Sequence, residues 1–185
     1  MLKDKTMTYI SLFSCAGVGC YGFKKAGFEC IATNELIERR LNVQRFNNKC
    51  KYDSGYICDD ITLEKTKEKI FAEIKRWEKL GNDRVDVLIA TPPCQGMSVA
   101  NHKKAENEII RNSLVVESIH LMQKVKPRFF IFENVAAFMK TGCTAPDGSV
   151  KAIGDVIYEE LSEHYIIASR VLNFKNYGSN SSRTR

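Results

Sequence analysis

The most constraining feature of this 185-residue sequence is a short apolar stretch that stops at two prolines. Residues 85–90 are mostly apolar, which is typical of a strand buried on both faces of a sheet. Pro92 and Pro93 then end any ladder, and Cys94 follows at once. Most free cysteines are small buried core residues. Here the prolines favour a thiol on a stiffened turn at the carboxyl end of a strand, where open α/β sheets bind ligands.

Short strand patterns alternate with helical patterns along the chain, which predicts an α/β fold with a doubly wound, mostly parallel sheet. Besides 85–90, we predict strands at 9–13, 29–33, 55–58, 128–132 and 165–174. Predicted helices lie at 23–26, 36–46, 62–80, 112–125 and 150–163. We expect the helix at 36–46 to carry Ile37, Leu41 and Phe46 on or near one face. The helix at 62–80 should have an apolar stripe of Ile70, Phe71, Ile74 and Trp77. Residues 97–111 and 141–148 have no clear period and are predicted to be loops.

The composition is that of an ordinary globular protein, with 44% hydrophobic and 27% charged residues. No apolar run approaches the roughly 18 residues of a membrane span, and the N-terminus has no signal-peptide pattern. The seven cysteines are irregularly spaced without a C-x-x-C, and there are three histidines, so we expect no metal site. Many unpaired thiols suit a reducing cytosol. The net charge of +6 fits a nucleic-acid partner without demanding one.

Further candidate site residues follow other predicted strands. A glycine-bearing turn, residues 14–22, follows the first strand and would let a ligand approach backbone amides; the alternative is a tight turn without a ligand. Glu35 lies 18 residues after Gly17, close to the position at which nucleotide-binding folds hold a ribose. Asp60 and Glu133 follow the strands at 55–58 and 128–132. Glu35 could instead be a helix-start residue, Asp60 a cap or turn residue, and Glu133 a helix cap.

Together these motifs resemble the DNA (cytosine-5) methyltransferase family. In chain order the matching segments are Phe13-Ser-Cys-Ala-Gly-Val-Gly-Cys-Tyr-Gly-Phe23, Asn34-Glu35, Asp60-Ile61, Pro93-Cys94-Gln95, Glu133-Asn134-Val135 and Arg183-Thr-Arg185. They follow the family's order and cover nearly the whole chain. Cys15 and Val18 stand where the family usually has glycine, and Ser181 stands where it usually has glutamine.

The resemblance implies a Rossmann-like class I fold that binds S-adenosylmethionine and releases S-adenosylhomocysteine. Phe13 would lie against the adenine, Glu35 would accept from the ribose, and Asp60 with Ile61 would read the adenine edge. The cofactor-binding residues that it implies are Phe13, Ser14, Ala16, Gly17, Val18, Glu35, Leu36, Asp60, Ile61, Pro92 and Leu114.

The resemblance also implies the chemistry of DNA (cytosine-5) methylation, in a restriction-modification system inside a prokaryotic or phage-infected cell. Cys94 would add to cytosine carbon 6, Glu133 would act at ring nitrogen 3, and Arg185, supported by Arg183, would hold the ring oxygen. The cytosine would be flipped out of double-stranded DNA, with the 97–111 loop closing over it and Lys103 and Lys104 meeting phosphate. The implied substrate-binding residues are Pro92, Gln95, Ser98, Asn134 and Val135.

Three alternatives stay open: a tRNA cytosine-5 methyltransferase, a non-catalytic or split-enzyme subunit that is inactive without a partner, and a nicotinamide-type Rossmann enzyme. The last is disfavoured because the turn has no clean G-x-G-x-x-G. We expect residues 1–185 to form an incomplete catalytic domain without the target-recognition domain. We also expect the family's last strand, which would insert between 128–132 and 165–174, to come from a downstream segment or a second subunit.

Overall fold

The computed structural model describes residues 6–93 and 114–185, and these fall into two compact units. The sheet unit comprises the described parts of Met1–Thr91 together with Lys124–Phe132. The second unit comprises the described parts of Pro92–Gln123 together with Glu133–Arg185.

The sheet unit is built on five parallel strands: β1 (Thr8–Leu12), β2 (Glu29–Glu35), β3 (Tyr56–Cys58), β4 (Val87–Ala90) and β5 (Phe129–Phe132). Their order is β3-β2-β1-β4-β5, which confirms the predicted doubly wound parallel sheet. Strands β1 and β4 are buried along their whole length, as continuous apolar runs in a parallel sheet should be. The winding direction reverses between β1 and β4, so the carboxyl edge there is the topological switch point at which such sheets bind ligands.

Three helices belong to the sheet unit: α1 (Tyr21–Lys25), α2 (Glu38–Phe46) and α3 (Glu64–Lys79). The predicted apolar stripe of α3 packs through Ile70 and Trp77, which are both buried. The expected inward face of α2 was wrong at Phe46, which is 87% exposed. Leu41 and the polar Gln44, three residues apart on one helical face, are the buried side chains instead.

The second unit contains most of α4 (Leu114–Val125), a hairpin of β6 (Gly142–Thr144) and β7 (Val150–Ala152), and α5 (Ile153–Leu161). The hairpin corrects two predictions, because 141–148 was predicted to be a loop and the last helix was predicted to begin at 150. The connection turns at Asp147, whose carboxylate accepts from the Ser149 amide at 2.9 Å, and at Gly148, with φ +82°. An Asp-Gly pair between short strands is a hairpin signal that the sequence did carry.

The predicted strand at 165–174 was also wrong. An extended segment becomes a strand only where a neighbour pairs with it, and among the described residues 165–171 has no such neighbour. Ile166 is fully exposed rather than buried. Only the end of the segment pairs, in an isolated antiparallel bridge: Leu172 and Arg185 exchange backbone hydrogen bonds at 2.6 and 2.9 Å, and the Phe174 amide donates to the Arg183 carbonyl at 3.0 Å. Within the described ranges, no helix is both long and apolar enough to cross a bilayer.

Candidate active site

Glu35, the last residue of β2, is a buried carboxylate anchored by backbone amides. Its Oε2 accepts from the Cys15 amide at 2.8 Å, and its Oε1 accepts from the Ile37 amide at 3.1 Å and from Arg40 Nη1 at 3.2 Å. A carboxylate has about four acceptor positions, so one remains for a hydroxyl donor such as that of a ribose. The sequence singled out Glu35 but not Arg40.

The segment between β1 and the first turn, residues 13–17, is called the cofactor loop below. Phe13, Cys15 and Gly17 all have left-handed backbone angles, with φ of +53°, +48° and +84°. This conformation costs a non-glycine residue roughly 1–2 kcal/mol, which explains why glycine would suit position 15. The Thr91 hydroxyl donates to the Phe13 carbonyl at 2.9 Å and fixes the start of the loop.

Asn34 aligns the ends of β2 and β3. Its side-chain amide donates to the carbonyls of Ile57 at 3.2 Å and Asp59 at 2.9 Å. Asp60 follows, and its Oδ1 accepts from the amide and the hydroxyl of Thr62 at 2.9 and 2.8 Å. Asp60 is therefore a turn residue, which is one of the two interpretations of the sequence. Of its two carboxylate oxygens, only Oδ1 accepts a hydrogen bond from the described residues.

Parallel strands end at one edge, and there Phe13 follows β1, Glu35 is the last residue of β2 and Asp60 follows β3, the three strands being neighbours. Leu36 and Val18 add exposed apolar side chains, which are 65% and 80% exposed. The remaining predicted cofactor residues of the sheet unit are Ser14 and Ile61, which are buried, and Ala16 and Gly17, which are half-buried. A nucleoside needs an apolar face and acceptors for its hydroxyls, and this edge supplies both.

In the second unit, Glu133 directly follows β5 in the chain and pairs with Arg185. The distance from Arg185 Nε to Glu133 Oε1 is 3.0 Å, and the Glu133 side chain is 42% exposed. Burial raises the pKa of Glu133 above its usual range, and the charge of Arg183 opposes this shift without cancelling it. The Arg185 guanidinium at 3.0 Å favours the ionised form, so burial and the two arginines act on this carboxyl in opposite directions.

Asn134 makes hydrogen bonds with two other predicted substrate-binding residues, Pro92 and Val135. Its side-chain amide donates to the Pro92 carbonyl at 2.9 Å, and its Oδ1 accepts from the Val135 amide at 2.9 Å. A carbonyl has two lone pairs, so Pro92 can still accept from a base amine. Ser181, at the position that departs from the family pattern, accepts from the Arg183 amide at 3.2 Å and stabilises the backbone there.

Cys94, Gln95, Ser98 and the predicted 97–111 loop with Lys103 and Lys104 lie outside the described residues. Leu114, a predicted cofactor residue, is half-buried at the start of α4. Of the other thiols, Cys58 and Cys143 have pKa values raised to about 11 by burial. These two thiols are therefore protonated and poorly nucleophilic near neutral pH.

The parallel sheet, with candidate binding residues at the carboxyl ends of its strands, defines a Rossmann-like α/β protein. A crystal structure described as a DNA modification methyltransferase encoded within an E. coli prophage shares this fold, with a TM-score of 0.68 and 24% identity. The alignment covers 97% of this chain and 44% of that one. The sequence profile of the C-5 cytosine-specific DNA methylase family matches residues 7–185, so the chain belongs to that family. The resemblance found in the sequence is thereby confirmed.

Several type II methyltransferases are similar to the chain. M1.HgaI of Avibacterium volantium is 31% identical over 185 residues, which are 98% of this chain and 49% of that protein. M1.HphI of Haemophilus parahaemolyticus is 29% identical, over 97% of this chain and 44% of that protein. M.AquIA of a Picosynechococcus species is 29% identical, over 95% of this chain and 68% of that protein. The chain thus spans about half the length of the first two.

Proposed function

We propose that the protein transfers a methyl group from S-adenosylmethionine to carbon 5 of cytosine in DNA, as the methyltransferase of a restriction-modification system. The observation that carries this proposal is Glu133, a half-buried carboxyl with a raised pKa and an arginine 3.0 Å away, in a chain of the C-5 cytosine-specific family. Such a group can donate a proton to a base and hold it while the base reacts.

Residues at the carboxyl edge of the sheet unit would hold the cofactor. Glu35 keeps one acceptor position for a ribose hydroxyl, Asp60 keeps one carboxylate oxygen, and Phe13 and Leu36 supply apolar surface for the adenine. S-adenosylmethionine supplies an electrophilic methyl group on a sulfonium centre. The chain's own task is to bind it and to keep the loop amides oriented toward Glu35.

The remaining proposed residues activate the cytosine. The Cys94 thiolate forms a bond to carbon 6, and electron density moves to carbon 5 and nitrogen 3 while Glu133 donates a proton to nitrogen 3. Arg185, with Arg183 beside it in sequence, holds the ring oxygen, and the Pro92 carbonyl accepts from the exocyclic amine. After methylation, nitrogen 3 returns its proton to Glu133 and a base, water being sufficient, takes the proton from carbon 5. The double bond between carbons 5 and 6 then reforms and the Cys94 thiolate leaves, which regenerates the enzyme.

The DNA partner must present a flipped cytosine, because stacked bases hide carbon 6. The target sequence requires contacts to base edges. The first relatives carry about as much chain again outside the matched region. We therefore propose that a downstream segment or a second subunit reads the target, and that the protein acts where bacterial DNA lies, in the cell interior.

Exchange of Cys94 for alanine tests the proposal most directly. In the protein expressed from its complete reading frame, Cys94→Ala should abolish transfer of labelled methyl groups to unmethylated genomic DNA while S-adenosylmethionine still binds. The wild type should also form a covalent complex with DNA carrying 5-fluorocytosine, because fluorine blocks the final elimination. Cys143→Ala is the matched control, since that thiol is buried and has a raised pKa.

Normal methyl transfer by Cys94→Ala would contradict the proposed nucleophile. Methyl transfer by the wild type to tRNA instead of DNA would contradict the proposed substrate and favour the tRNA alternative.

A further inference from the structure

The cofactor loop holds two non-glycine residues in left-handed conformations, so something outside the loop must keep it in place. Ser14 is buried between them, and its amide donates to the Asn34 carbonyl at 3.0 Å. This contact fixes the loop to β2 but does not reach the Cys15 carbonyl. Within the loop, the Gly17 amide donates to the Ser14 carbonyl at 2.8 Å and closes a turn, which leaves the Cys15 carbonyl to be bound by a contact from outside the loop.

Gln44 of α2 supplies that contact. Its Nε2 donates to the Cys15 carbonyl at 2.5 Å and to the Ser14 hydroxyl at 2.8 Å. Its Oε1 lies 2.8 Å from the Thr33 hydroxyl, which can donate to it. The Gln44 side chain is 1% exposed, so every polar atom of its amide is used on the loop or on β2.

Gln44 also limits what the loop can contain. A Cβ atom added at Gly17 would lie 3.0 Å from Gln44 Cγ, and Gly17 has a φ of +84°. Glycine is therefore favoured at position 17 by its backbone angle, and a larger residue there would press on Gln44. The loop and the glutamine are complementary in shape as well as in hydrogen bonding.

The Cys15 residue is thus held at both ends. Its amide donates to Glu35 Oε2 at 2.8 Å, and its carbonyl accepts from Gln44. Rotation of the loop at Cys15 would withdraw the amide from Glu35 and change the free acceptor position on that carboxylate. Gln44 therefore acts on the candidate ribose site through Cys15, without lying in that site.

We propose that Gln44, which belongs to none of the sequence motifs, is a positioning residue for S-adenosylmethionine binding. The hydrogen bond from Gln44 to the Cys15 carbonyl holds the peptide that follows Cys15. This contact offsets the strain of a cysteine in a left-handed conformation. This inference rests on the proposed function, because it assumes that the cofactor loop and Glu35 bind S-adenosylmethionine.

The test measures the Kd for S-adenosylmethionine by calorimetry in the protein expressed from its complete reading frame. Gln44→Met keeps the side-chain length but removes the donors, and we expect binding to weaken by about tenfold or more. Asn42→Met is the matched control, because Asn42 is exposed on the same helix. Adding Cys15→Gly to Gln44→Met should recover part of the loss, because glycine adopts the left-handed angle without strain.

The recovery separates a positioning role from a merely structural one. A lower melting temperature with an unchanged Kd in Gln44→Met would overturn the inference, and so would a loss of binding that Cys15→Gly leaves unchanged. If Gln44→Met does not fold, Thr33→Val removes the hydroxyl that orients Gln44 and should weaken binding less strongly; an unchanged Kd there would also overturn it. Failure of the wild type to bind S-adenosylmethionine would instead refute the proposed function.

Discussion

Two glutamates at strand ends, Glu35 in the sheet unit and Glu133 in the second unit, have the same side chain in opposite settings. Glu35 is 5% exposed and accepts from two backbone amides and one arginine. Glu133 is 42% exposed and pairs with Arg185, and burial raises its pKa. Backbone amides are fixed donors, so they hold the Glu35 carboxylate in one orientation as an acceptor, whereas Glu133 is held by an arginine side chain and is the proposed proton donor.

A carboxylate after a strand does not by itself define a role. Glu35 closes β2, where the chain turns and directs the Ile37 amide back to it. Glu133 lies one residue past β5, which forms an edge of the sheet. The neighbours decide whether the group binds a ligand as an anion or acts as an acid. The following predictions test this distinction.

The largest effect is expected at Glu133. Glu133→Gln keeps the shape but cannot donate an acidic proton, so kcat for methyl transfer should fall by roughly 10²–10⁴-fold. The Kd for S-adenosylmethionine should stay within about twofold, because no cofactor contact is proposed for Glu133. Glu163→Gln, an exposed glutamate after α5, is the control. If Glu133→Gln weakened binding of S-adenosylmethionine and left kcat unchanged, Glu133 would act as a cofactor-binding residue like Glu35.

The second effect is expected at Glu35. Glu35→Ala removes a charge-assisted hydrogen bond to the ribose and frees the Cys15 amide, at a cost of roughly 1.5–3 kcal/mol. Calorimetry should show binding of S-adenosylmethionine weakened by about one to two decades, with kcat at saturating cofactor changed far less. Glu38→Ala, an exposed acid in the first turn of α2, is the control. An unchanged Kd would reduce Glu35 to a residue that only holds the loop.

The sheet could be predicted from the sequence because its strands leave short, mostly apolar runs, as in β4, which is buried along its whole length, and in the edge strand β5. The carboxylates Glu35 and Glu133 could be predicted because each follows such a run. The segment 165–174 could not, because its apolar residues match a strand pattern while pairing depends on a neighbour that the pattern does not contain. The β6–β7 hairpin is too short for periodicity to detect without its Asp-Gly turn.

The supporting residues of the site could not be predicted, for a different physical reason. Gln44 and Arg40 lie on α2, and a polar residue on a helix is exposed unless packing buries it. Only the course of the cofactor loop shows that Gln44 faces the Cys15 carbonyl. Cys15 itself was recognised as a departure from glycine, but its cost became visible only in its φ of +48°.

The smallest effect is a pH shift at Arg183. Its charge holds the pKa of Glu133 down while burial holds it up, so Arg183→Met should raise that pKa further. Because the protonated glutamate is the proposed acid, kcat falls as pH rises through its pKa. The variant should retain activity to higher pH, with a change in kcat of less than about tenfold at any pH, since exposed charges interact weakly.

Salt and a matched variant make this last prediction specific. Arg183 is exposed, so high ionic strength screens its charge, and the wild-type pH profile should approach that of Arg183→Met as salt is added. Lys175→Met removes an exposed positive charge from the same stretch of chain. In this variant, kcat should fall over the same pH range as in the wild type. A falling limb that persists in Glu133→Gln would show that another group titrates. Glu133 would then be a fixed acceptor like Glu35, and the contrast between the two glutamates would not hold.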